Sequence, residues 1–159
     1  MLSNRQISDR LEIFDLFSRY CRAVDTRDWD LLWSVFTKES VIDYTDAGGI
    51  RAKAGPAIDW LSSSLQSSAF SQHVVTIRDL DIQGQKAKSL SYYYNPTALY
   101  GRDDVHWSAM LVFGYYKDRL KRTKRGWRIT DRRVEKVWQT PWWEQTRLPG
   151  APLEASPRR

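Results

Sequence analysis

The hydrophobic period of this chain changes once, near Ser68, and that change restricts it to helices first and strands after. Ile7, Leu11, Phe14, Phe17, Cys21 and Val24 recur at intervals of 3 and 4 residues, which predicts one inward stripe of an amphipathic helix. Ser3 with Gln6 offers a capping box at its start, and Asp28 can cap a second short helix carrying Leu31, Leu32, Val35 and Phe36. Val41–Tyr44 is a short strand, Gly48-Gly49 a turn, and Gly55-Pro56 opens a third helix with Ile58, Leu61 and Leu65 on one side. Beyond Ser68 the period is two. Residues 70–82, 86–100, 105–120 and 127–138 are strand-like runs, joined by turns at Gly84-Gln85, 101–104 and Lys124-Arg125-Gly126. The layout is α+β, with helices packed on one face of a strongly curved, mixed but mostly antiparallel sheet. One domain is expected over residues 1–145. The tail, residues 146–159, holds three prolines and little to bury, so it is expected to be disordered or draped on a neighbouring subunit.

The 159 residues suit a single core, and 8 Trp with 8 Tyr exclude an intrinsically disordered chain. Cys21 is the sole cysteine, which excludes an internal disulfide framework and a cysteine-based zinc site. No apolar run approaches the roughly 20 residues needed to span a bilayer, and no leader-like stretch opens the chain. A cytoplasmic protein without membrane association is expected. The net charge of +6 is local: residues 117–133 carry +7 and the remainder −1. About half of that basic run falls around Arg122–Gly126, read as a solvated hairpin, and no docking motif accompanies it, so nucleic acid is not an expected partner.

Chemistry narrows to a few side chains. His73 alternates with Val75 and Ile77 on a strand face, a setting in which a histidine is usually a satisfied core residue. Asp25 lies one turn beyond Cys21 on the first helix stripe, where a carboxylate has little reason to be unless it caps the following loop or meets a partner. Tyr20 lies between Phe17 and Val24 on the core side of the same helix. The serine runs 62–64 and 67–68 have no base partner.

The segment Arg19-Tyr-Cys-Arg-Ala-Val-Asp-Thr-Arg-Asp-Trp-Asp-Leu-Leu-Trp-Ser-Val-Phe36 resembles the opening of SnoaL-like proteins, a branch of the nuclear-transport-factor-2-like superfamily. Ile42-Asp-Tyr44, the Gly55-led helix with Trp60-Leu61, Gln72-His73 and Gly126-Trp-Arg-Ile-Thr-Asp-Arg-Arg133 follow in the family's order, so the resemblance spans about residues 5–138. It implies a cone-shaped α+β barrel enclosing an apolar pocket. The pattern is most similar to bile-acid 7α-dehydratase, scytalone dehydratase and hexachlorocyclohexane dehydrochlorinase. By that resemblance Asp25 and His73 form a catalytic dyad, Tyr20 and Tyr44 are pocket tyrosines, and Arg132 is a pocket arginine. Strict alternation from Trp127 and Ile129 favours Arg133 instead, so an inward Arg132 requires a bulge. Where scytalone dehydratase has a second pocket histidine this chain reads Tyr92-Tyr93-Tyr94-Asn95, which makes Asn95 and Tyr93 candidate substrate contacts. His106 is read as a loop residue. Asp79 and Asp81 lie near the turn at Gly84, so the carboxylate base of ketosteroid isomerases has no clear counterpart.

These residue types suit elimination of water. Imidazole can remove a carbon-bound proton and return it to a departing hydroxyl, a carboxylate can fix its tautomer, and tyrosine hydroxyls can polarise a carbonyl without carrying charge. The expected activity is a cofactor-independent, metal-free dehydratase acting on a cyclic hydrophobic, carbonyl-activated alcohol, such as a steroid-like, polyketide-derived or other polycyclic molecule. An isomerase or polyketide cyclase using the same pocket, or a non-catalytic binding or assembly module, is the alternative. The strands and the tryptophans at 138, 142 and 143 suggest a homotrimer or homodimer.

Overall fold

The computed structural model describes residues 1–66, 68–100, 107–141 and 143–145. The turn at 101–104, His106, Trp142 and the tail at 146–159 lie outside the described residues.

Helix α1 (Asn4–Asp25) begins with the expected capping box: Gln6 N donates to Ser3 Oγ (3.3 Å) and Ser3 N to Gln6 Oε1 (2.8 Å). Its core face is not the predicted stripe. Ile13, Leu16, Phe17, Tyr20, Ala23 and Val24 are buried, whereas Ile7, Leu11 and Phe14 are exposed. The helix carries two apolar stripes that share Phe17 and Val24, and helical spacing alone does not say which one meets the sheet. Arg27, with φ 58°, reverses the chain into α2 (Trp29–Trp33), which Asp28 caps by accepting from Leu31 N at 2.9 Å. Phe36, expected on that helix, opens strand β1 (Phe36–Asp43) instead. A single 3-10 turn (Thr45–Ala47), β2 (Arg51–Lys53) and α3 (Ala54–Ser64) follow, with Pro56 in the first turn of α3.

The remaining strands are β3 (Ser68–Ser71), β4 (Val74–Gln83), β5 (Lys86–Tyr100), β6 (Trp107–Thr123), β7 (Gly126–Gln139) and β8 (Trp143–Gln145). They form one mixed sheet in the order β2-β1-β7-β6-β5-β3, with β4 also on β5 and β8 on β6. Only β1 with β7 is parallel among the described pairs. The sheet curls into a half-barrel and the helices close its concave side, so the fold is the α+β cone. The core joins Ile13, Leu16 and Leu32 from the helices to Leu120, Trp127 and Ile129 from the sheet. Each fully buried aliphatic side chain there contributes about 1.5–3 kcal/mol of transfer free energy.

Two irregularities position the polar residues. The run 70–82 is not one strand: it breaks at Gln72-His73, and β3 and β4 pair with different stretches of β5 on either side of Asn95. In the β6–β7 ladder the register slips between Arg119 and Leu120, leaving Thr130 without a pairing partner. That bulge inverts the alternation, so Arg132 points inward and Arg133 outward, as an inward arginine required. Arg122 departs from the solvated-hairpin reading: it lies over the Trp127 ring (5.0 Å) and pairs with Asp9 and Glu12 of α1.

Candidate active site

Asp25 ends α1, where the negative pole of the helix disfavours a carboxylate. His73 offsets this. Its backbone N–H donates to both Asp25 oxygens at 3.0 Å, and Nδ1 lies 2.7 Å from Asp25 Oδ1. The break between β3 and β4 frees that N–H, because at this residue it faces the helix rather than a neighbouring strand. A carboxylate that accepts from Nδ1–H fixes the ring orientation and tautomer. The His73 side chain is 8% exposed and that of Asp25 23%, so the pair is partly buried, with the His73 ring open on one side.

That side is a cavity of about 260 Å³, lined by Tyr20, Tyr44, Trp60, His73, Tyr93 and Asn95 among others. Tyr20 and Tyr44 hold their hydroxyls 3.2 Å apart, joining the last turns of α1 to the end of β1. Burial, then the neighbouring Tyr20, pushes the Tyr44 phenol well above its ordinary range, so it remains a neutral donor. Trp60 packs on Tyr44 with ring centroids 5.8 Å apart. Gly49 permits that packing, since a Cβ there would lie 2.6 Å from the Trp60 ring and 2.7 Å from Tyr44 Cβ. Tyr93 stacks on Tyr116 at 4.6 Å, and among the described residues its buried hydroxyl has no partner. Lys136 stands at the rim, where its backbone N–H donates to Asp46 Oδ2 (2.7 Å) and ties the 3-10 turn to β7.

Five of the seven sequence-selected residues, Tyr20, Tyr44, His73, Tyr93 and Asn95, therefore line one cavity, and Asp25 reaches it through His73. Arg132 does not: it lies beneath the cavity, fully buried, its Nε and Nη2 donating to Asp118 at 2.8 and 2.9 Å. Its guanidinium lies 4.0 Å from the Tyr20 ring centroid and 4.2 Å from that of Tyr116, and its side chain is 0% exposed, so it is packed under aromatic rings and does not line the cavity. The expected pocket anchor is instead a support for Tyr20. Burial works against its charge, and the Asp118 carboxylate more than offsets that, so its pKa stands above the ordinary arginine value. Sequence reading missed Tyr116 and Asp118, although strict alternation along β6 places both on the concave face. Asp79 and Asp81 are exposed and away from the cavity. Burial pushes the Cys21 thiol up to about 11, which leaves it protonated and unreactive at neutral pH. Among the described residues no group of three or more His, Cys, Asp or Glu converges as a metal site. No described helix is long and apolar enough to cross a membrane.

Residues 5–133 match the SnoaL-like domain family. The chain belongs to that family. An uncharacterised protein of Mycobacterium tuberculosis is 38% identical over 136 residues, covering 85% of this chain and 89% of that protein. Among solved structures, a type 2 hexachlorocyclohexane dehydrochlorinase superposes with a TM-score of 0.75 at 18% identity, covering 91% of this chain and 96% of its own. A candidate scytalone dehydratase of Novosphingobium aromaticivorans gives 0.71 at 14% identity, covering 96% and 100%. At such identities the likeness shows a shared fold.

Proposed function

We propose that this SnoaL-like protein is a cofactor-independent dehydratase acting on a cyclic hydrophobic alcohol activated by a nearby carbonyl. In this reading His73 is the general base, Asp25 orients it and stabilises its charged form, and Tyr20 and Tyr44 donate to substrate oxygen. His73 serves as acid and base in one cycle: the hydrogen on the carbon next to the carbonyl passes to it, and that electron pair forms the C=C bond. The C–O bond breaks with its pair passing to oxygen, and the hydroxyl takes the proton from His73 to leave as water. The reaction balances with no external oxidant or reductant. Hydroxyl donors beside a developing enolate act where charge appears, and general acid–base transfer contributes roughly 10²–10⁴-fold.

The observation that carries this reading is the 2.7 Å Asp25–His73 contact at the wall of a cavity rich in aromatic side chains. An isomerase would share the proton abstraction and return the proton to carbon. The test is incubation with a panel of cyclic β-hydroxyketones, followed by mass spectrometry of the products. Loss of one water, abolished by His73→Ala with binding retained, supports elimination. A product of unchanged mass supports isomerisation, and binding that is indifferent to His73→Ala without turnover supports a carrier.

A further inference from the structure

The second ring nitrogen of His73 also has a partner, supplied by the strand break. Because β3 and β4 separate at residues 72–73, Asn95 of β5 lies opposite His73. One end of its amide lies 3.1 Å from Gln72 O and 3.3 Å from Pro96 O. Those carbonyls can only accept, so that end is the NH₂ group. Ser71 Oγ (3.1 Å) and Thr97 Oγ1 (3.2 Å) accept from the same end. Asn95 Oδ1 is thereby fixed 3.2 Å from His73 Nε2. An amide oxygen cannot donate, so the hydrogen in this contact belongs to the histidine. The hydrogen on Nδ1 is already directed at Asp25, 2.7 Å away.

The other groups around the ring leave this assignment intact. Tyr20 meets it edge-on at 6.0 Å, Cys21 on α1 is an uncharged thiol, and Ser71 Oγ lies 3.5 Å from Nδ1. Among the described residues Asp25 is the one carboxylate that meets the ring.

We propose that Asn95 is a positioning residue that keeps a hydrogen on His73 Nε2, so that the Asp25–His73 pair meets an incoming molecule as a donor, through an oxygen that takes the place of Asn95 Oδ1. This rests on the elimination reading only for its consequence, which is an order of events. The Nε2 hydrogen passes to the departing hydroxyl as the C–O bond breaks, its pair going to oxygen. The nitrogen lone pair so freed takes the hydrogen from the neighbouring carbon as the C=C bond forms, which restores the starting state. Molecules lacking an oxygen acceptor would have to leave the Asn95 contact in place and gain nothing from the pair.

The chain has only two histidines, so the imidazole nitrogens can be read directly. The full-length, ligand-free protein labelled with ¹⁵N-histidine is recorded at pH 7, with His106→Gln assigning the second ring. The expected spectrum has both His73 nitrogens hydrogen-bearing. Asn95→Leu is expected to leave Nδ1 hydrogen-bearing and convert Nε2 to the bare, downfield type. Asn95→Asp, which presents only acceptors, is expected to retain both hydrogens, separating acceptance from mere packing. A bare Nε2 in the unmutated protein, or an Asn95→Leu spectrum identical to it, overturns the proposal. If Asn95→Leu does not fold, the unmutated and Asn95→Asp spectra still decide. Turnover is not read, so a failure of the dehydratase reading leaves this result standing, and the reverse holds.

Discussion

Two of the acid–base pairs inside the molecule are built to nearly the same dimensions. Asp25 and His73 meet at 2.7 Å, and Asp118 and Arg132 at 2.8 and 2.9 Å. One pair borders a cavity, while the other is 0% exposed on both side chains and sealed by Tyr20 and Tyr116. The difference lies in access, not in bonding. A pair whose outer atoms reach a cavity can exchange a proton with what enters it. A pair that is fully buried beneath aromatic rings holds its neighbours in place, and here it holds the ring that carries the Tyr20 hydroxyl. Resemblance alone assigned both arginine and histidine to the pocket; the packing separates them.

Removing one member from each pair should break the comparison in opposite ways. Asp25→Asn is expected to lower kcat by about 10³–10⁴, the cost of a mis-set tautomer in comparable histidine sites, with the thermal midpoint nearly unchanged. Activity assay and calorimetry on the same preparation check both halves. Arg132→Met leaves a buried carboxylate uncompensated and should cost about 3–5 kcal/mol of stability. That corresponds to a fall in Tm on the order of 10 °C for a chain of this size. Pairing it with Asp118→Leu is expected to recover most of that loss, since a buried ion pair is often replaceable by apolar groups. A double variant as unstable as the single one would show that the charge itself, rather than its isolation, is what the fold requires. The smallest effect belongs to Tyr44→Phe. It removes one neutral hydrogen bond, worth about 0.5–1.5 kcal/mol, and should lower kcat/KM about tenfold if that hydroxyl serves substrate oxygen. A stability loss with unchanged kcat/KM would move Tyr44 from the chemistry to the frame.

Local order was written plainly along the chain. The Ser3–Gln6 box, the Asp28 cap, Pro56 in the first turn of α3 and the turns at Gly84 and Gly126 are all found, because each depends on residues within four positions. The strand runs were legible for the same reason, and His73, Val75 and Ile77 do share one face. Ile7, Leu11 and Phe14 were misplaced because a helix with two apolar stripes leaves the choice to whatever packs on it. The long run 70–82 concealed its break because nothing within it signals one. The interruption is set by β5, where Asn95 and Pro96 stand opposite Gln72-His73 and Pro96 O accepts from Gln72 N at 3.1 Å.

By itself the sequence determined the α+β layout, the inward Tyr20 and the candidate pair of Asp25 and His73, since short-range periodicity and an order of short motifs are properties of a string. Only the tertiary structure decided that Arg132 is a buried support and that Asn95 meets His73 Nε2. A bulge, a strand break and the closing of aromatic rings over a charge arise from contacts between residues far apart in the chain. Their energies depend on what each group faces, and a one-dimensional pattern does not contain that.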